Sequence, residues 1–125
     1  MPRLFLIDDE SGIRLALRRW FERRGWEVVE AADGEAALVL VEALPSAPIP
    51  DLIICDLNLP KATGETILAR VADRVPALVP RFVLTTGEDV ANAEPGTVLH
   101  DHSLVLQKPF DFTVLQALVQ QVTGL

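Results

Sequence analysis

Cysteine, basic charge and long apolar runs are all scarce in this chain of 125 residues. Cys55 is its one cysteine, so no internal disulfide can form, and a reducing, cytoplasmic setting is expected. Its place in an apolar segment makes it a small buried hydrophobe. Lys and Arg number 11 against 18 Asp and Glu, a net charge of −7. That balance disfavours direct nucleic-acid binding, which needs cations to replace the phosphate counterions, and disfavours docking on an anionic membrane. The apolar start Leu4 to Ile7 is cut off by Asp8, Asp9 and Glu10, too soon for a secretory signal. Nothing approaches the length of a membrane span. There is no internal repeat, and the Pro-rich stretch Pro45 to Pro50 reads as a loop between elements. Residues 1–125 therefore read as one domain.

What the chain does contain is a repeated alternation of short apolar runs with amphipathic stretches. The runs are Arg3 to Ile7, Trp26 to Glu30, Leu52 to Cys55, Phe82 to Leu84 and Leu104 to Leu106. Each suits a strand buried on both faces. Between them, Ile13, Ala16, Leu17, Trp20 and Phe21 recur at helical spacing, with Ser11 as a cap and Gly25 as a stop. Asp33-Gly34 opens a second helix running to Leu44, and Glu65 to Ala72 has a weaker helical period. Asp111 caps a last helix that buries Phe112, Leu115, Leu118, Val119 and Val122. Only Glu88 to His102 is hard to read, because Pro95-Gly96 interrupts any helix there, so the fourth helix is expected to be short or irregular. His100 and His102 in that region read as ordinary surface residues. Regular strand–helix alternation predicts an α/β fold, a parallel sheet covered on both faces.

Polar residues follow the strands. Asp8 and Asp9 end the first, Asp56 the third, Thr85-Thr86 the fourth and Lys108 comes just after the fifth. Carboxyl ends of parallel strands share one edge, so these groups converge although they lie far apart in sequence. Clustered carboxylates need a counter-ion that Lys108 alone does not supply. A hard, oxygen-seeking cation such as Mg²⁺ answers that need. With it in place, Asp56 is a nucleophile for a phosphoryl group, Lys108 stabilises charge on the transferring oxygens and the Thr86 hydroxyl donates to one of them. The bland readings are a capping turn for Asp-Asp, an ordinary loop for Lys-Pro and a structural role for the threonine. Taken one at a time they serve, but they leave the coincidence at separate strand ends unexplained.

The motifs Leu6-Ile7-Asp8-Asp9-Glu10, Asp56-Leu57-Asn58-Leu59-Pro60 with Gly64, Leu84-Thr85-Thr86-Gly87 and Lys108-Pro109-Phe110 resemble those of the receiver domain of two-component response regulators, over nearly the whole chain. The spacings of 30 residues from Asp56 to Thr86 and 22 from Thr86 to Lys108 match the family's. The resemblance implies a flavodoxin-like, doubly wound five-stranded sheet in the order 2-1-3-4-5. It implies Asp56 as phosphoacceptor, Asp9 as a direct Mg²⁺ ligand, Asp8 as a ligand through water and the Asn58 backbone carbonyl as a further one. It favours Thr86 over Thr85 and suggests a cis Lys108-Pro109 bond. The implied partner is a histidine kinase or phosphotransfer protein. Arg14, Arg18, Arg19, Arg23 and Arg24 of the first helix read first as a solvated face with local Glu22 pairing, and by the resemblance as a docking surface for that partner. A monomer or weak dimer is expected, catalysing only its own phosphorylation and dephosphorylation. Two departures stand out: Val105 occupies the place of the family's switch aromatic, and the usual Gly-Ala pair before the fifth strand is missing. A phosphatase of the haloacid dehalogenase type would want a second Asp where this chain has Asn58.

Overall fold

Five parallel strands in the order β2-β1-β3-β4-β5 form the centre of the computed structural model, which describes residues 1–102 and 104–125. The strands are β1 (Arg3–Ile7), β2 (Glu27–Ala31), β3 (Leu52–Asp56), β4 (Phe82–Thr86) and β5 (Val105–Gln107). The helices are α1 (Ser11–Glu22), α2 (Gly34–Glu42), α3 (Gly64–Arg74), α4 (Val98–Asp101) and α5 (Phe112–Thr123), with short 3-10 turns at Pro76–Arg81 and Val90–Asn92. The sheet order and its double winding are those expected.

Side-chain alternation along the strands divides the core into two layers. Leu4, Leu6, Leu52, Ile54, Val83 and Leu106 face α1 and α5, where Leu17, Trp20, Phe21, Leu115 and Val119 meet them. Phe5, Ile7, Ile53, Cys55, Phe82 and Leu84 face the other way, onto Ala37 and Val41 of α2 and Ile67 and Val71 of α3. Every residue of β3 and β4 is buried, as parallel strands with helices on both sides require. The Thr63, Asp33 and Asp111 side chains cap their helices by accepting from the backbone N–H three residues on.

Several expectations need correction. Ser11 is not a cap: α1 begins at Ser11 itself, and Glu10 precedes it without a side-chain capping bond. Trp26 is not in a strand. It packs edge-on against Phe21 at 5.1 Å, while Gly25, at φ 83°, turns the chain between α1 and β2. Ala16 lies at the rim of its helix and is exposed. Phe112 is not buried: it is 43 % exposed, with its ring stacked on Trp20 at 5.9 Å. His102 is not a plain surface residue either. It is half-buried, edge-on to the Phe82 ring, with Nε2 2.6 Å from the Phe82 carbonyl oxygen.

Candidate functional site

Register brings the acidic residues together. Ile7 pairs with Cys55 and Asp56 with Thr85, so the residue after β1, Asp8, stands level with Asp56 at the carboxyl edge. Asp8, Asp9, Glu10 and Asp56 each offer a carboxylate oxygen, and these atoms lie within 4.8 Å of one another. Asp8 and Asp56 are buried (3 % and 6 % exposed), whereas Asp9 and Glu10 face solvent. Lys108 reaches this cluster from just beyond the edge strand β5. Its Nζ donates to Asp8 Oδ2 at 2.9 Å and Asp56 Oδ2 at 3.1 Å, and stands 3.7 Å from Glu10. The Lys108–Pro109 bond is cis, and the Lys108 N–H donates to the Thr86 carbonyl.

Burial pushes the Asp56 carboxyl above its ordinary range, against the opposing pull of Lys108 and the Asn58 N–H, and Asp8 adds to the upward push. For Lys108, burial pulls the ammonium down, but the hydrogen bonds and charges of Asp8 and Asp56 together outweigh it and hold it above an ordinary lysine. One cation among two buried and two exposed carboxylates leaves an excess of negative charge that a further cation would relieve. The donor set is wholly carboxylate oxygen, which suits a hard divalent ion. The Asn58 carbonyl accepts no hydrogen bond among the described residues, so it too is free to bind one.

The loop after Asp56 is fixed by backbone contacts. Asn58 N–H donates to Asp56 Oδ1 (3.3 Å), Gly64 N–H to the Leu57 carbonyl (2.8 Å) and Gly34 N–H to the Pro60 carbonyl (2.9 Å). Both glycines are required by space. A Cβ on Gly64 would stand 2.6 Å from the Asp56 carbonyl oxygen, and one on Gly34 would run into Ala62. Gly34 was legible only as a helix start; its second role depends on a fold-level contact. On the other side, Arg14 Nη1 holds the Asp8 carbonyl at 2.7 Å while Arg14 and Arg18 pair with Glu30 of β2. Those two arginines of the α1 cluster are therefore committed to structure. Among the described residues Arg19 and Arg23 form no ion pair, and Arg24 lies over the Trp20 ring at 3.7 Å.

Thr86 is fully buried, and its hydroxyl makes no hydrogen bond to the Asp56 carboxylate or the Lys108 ammonium. Its hydroxyl accepts from the Glu88 N–H at 3.0 Å, which leaves its proton free to donate. Asn58 and Glu88 meet across the mouth of the site, Nδ2 to Oε2 at 3.4 Å. A cleft of about 570 Å³, lined by Glu10, Ile13, Leu17, Gly87, Lys108 and Phe112 among others, opens beside the ammonium. Such an arrangement can bind a divalent cation, present a carboxylate to an electrophile and meet the developing charge with an ammonium and a hydroxyl.

The family model for the response regulator receiver domain matches residues 4–120. The chain is 36 % identical over 129 residues to the transcriptional regulatory protein PrrA of Mycobacterium bovis, covering 99 % of this chain and 49 % of that protein. It is 33 % identical over 120 residues to a probable transcriptional regulator, ycf27, of Guillardia theta, covering 96 % and 44 %. The chain thus spans about half the length of the curated relatives it matches. Among solved structures it is similar to the chemotaxis response regulator CheY4 of Vibrio cholerae (27 % identity, TM-score 0.79, 98 % of both chains). It is also similar to the receiver domain of the hybrid histidine kinase CckA (28 % identity, TM-score 0.72, 97 % and 98 %). In sequence and in fold alike, the chain belongs to the response regulator receiver domain family.

Proposed function

We propose that Asp56 accepts a phosphoryl group from a phosphohistidine of a kinase or phosphotransfer protein in the cytoplasm. An Asp56 carboxylate oxygen attacks phosphorus, the phosphorus–nitrogen bond breaks, and the imidazole leaves with the electron pair and takes up a proton. Lys108 would follow the charge onto the phosphoryl oxygens, and the uncommitted Thr86 proton would donate to one of them. Asp8, Asp9, Asp56 and the Asn58 carbonyl would hold Mg²⁺, whose chemistry when bound is to neutralise charge on the transferring group. Water then cleaves the acyl phosphate, restoring the carboxylate and releasing inorganic phosphate. No other reaction is assigned to the domain.

The observation that carries this reading is the Lys108 ammonium at 2.9 and 3.1 Å from two buried carboxylates, one of which ends the central strand. Acetyl phosphate tests it, because positioning and charge stabilisation come from the receiver itself. With Mg²⁺ the intact mass should rise by one phosphoryl group, labile to hydroxylamine, and Asp56→Asn should take up none. A label that persists in Asp56→Asn refutes the assignment.

A further inference from the structure

One buried side-chain polar atom has no hydrogen-bond partner among the described residues, the Thr85 hydroxyl oxygen, on a residue only 2 % exposed. A buried, unpartnered hydroxyl costs stability and calls for an explanation. Its position supplies one. Thr85 pairs in register with Asp56 and Leu106, so its side chain is on the same sheet face as Asp56, one strand away at about 4.8 Å. Lys108 follows β5, one residue past the Thr86–Gln107 pair, and its ammonium reaches across the end of β4 to Asp56, the register partner of Thr85, and to Asp8.

The ammonium now uses the same carboxylates that make up the candidate cation site. With a divalent cation held there, Lys108 loses those oxygens and is repelled, and it must withdraw along its own path toward β4. We propose that Thr85 is a positioning residue: its hydroxyl accepts a hydrogen bond from the withdrawn Lys108 ammonium, which makes cation loading easier and keeps Lys108 beside Asp56. The hydroxyl is unpartnered because its partner arrives only on loading. Thr86, on the opposite face and bonded to the Glu88 N–H, does not fill this role. The proposal rests on the receiver reading of the cation site.

The test is calorimetric titration with Mg²⁺ together with thermal unfolding of the metal-free protein. Thr85→Val, equal in shape but without the hydroxyl, should bind Mg²⁺ at least roughly tenfold more weakly, the worth of one hydrogen bond to a charged group. Its metal-free melting temperature should be unchanged or higher, since a buried orphan has been removed. Thr85→Ser should restore binding. In a Lys108→Ala background the Thr85→Val effect on Mg²⁺ should vanish, because the two act as a pair. Unchanged affinity in Thr85→Val, an effect that persists without Lys108, or weaker binding accompanied by a lower metal-free melting temperature would overturn the proposal. Wild-type protein that binds no Mg²⁺ would instead contradict the receiver reading itself.

Discussion

The strands that carry the acids and the stretch that runs from the end of β4 through β5 are built to different standards. β1 and β3 have five residues each, and α1, α2 and α3 run to 12, 9 and 11. At the other side β5 has three residues and α4 four, and neither α4 nor the 3-10 turn before it buries a residue. Apolar burial supplies local stability, so the second region should open at much lower cost than the first. Asp8 and Asp56 are thus held by a stiff frame. The segment joining β4 to β5, pinned by the Gln107 side chain accepting from the Val90 N–H and by His102 at Phe82, is the part free to respond.

Core truncation should expose this contrast most strongly. Ile53 is fully buried, and Ile53→Ala should cost about 3–4 kcal/mol in urea unfolding. Val105 is only half-buried, and Val105→Ala should cost about 1 kcal/mol. Equal losses would erase the distinction. A pair of glycines gives the next largest effect. Gly64→Ala forces a Cβ against the Asp56 and Leu57 backbone and should destabilise by about 2 kcal/mol while weakening Mg²⁺ binding. Gly87→Ala meets open space and should change stability by less than about 0.5 kcal/mol.

A pH series sharpens the account of the acids. The folded-state value of Asp56 lies above the ordinary one, so the fold holds that proton more tightly than the unfolded chain does. Its stability contribution is fully present below the unfolded carboxylate value and is lost as pH rises through the raised folded value. Metal-free wild type should therefore gain less stability than a chain of ordinary carboxylates would as pH climbs through the acid range, and Asp56→Asn should remove that deficit. Identical pH profiles for the two proteins would show that Asp56 is not the strained acid. The smallest effects concern lifetime and assembly. Asn58 and Glu88 face each other across a polar mouth, so Asn58→Leu, which puts an apolar side chain there, should slow phosphate loss, with an unchanged decay rate counting against it. Residues 111–125 contain no Lys or Arg, so an ion-paired dimer through α5 lacks one partner of each pair. Sedimentation of the beryllofluoride-loaded protein should show a monomer or a weak, salt-insensitive dimer.

Much of this was legible because strand ends are legible. Leu52 to Cys55 announced a buried strand, and a carboxylate directly after it had to sit at the sheet's edge. The same logic found Asp8, Asp9 and Lys108. What escaped depended on contacts between elements. Phe112 fits the apolar stripe of α5 yet is left 43 % exposed. His102 reads as polar, yet its ring packs on Phe82 and its nitrogen meets a backbone carbonyl, which no local pattern announces. Thr85 and Thr86 are adjacent in sequence and face opposite layers; only the Asp56–Thr85 register separates a hydroxyl beside the acids from one beside Glu88.

On this reading the phosphoryl group is received on the stiff frame of β1 and β3 and the response falls in the stretch from the end of β4 through β5. Hydrogen–deuterium exchange of the protein with and without Mg²⁺ and beryllofluoride tests it directly. Residues in β1 and β3 should exchange slowly in both states, and the largest change in protection should fall within 87–107. A change centred on β1, β2 or α2, with 87–107 unaltered, would contradict the account.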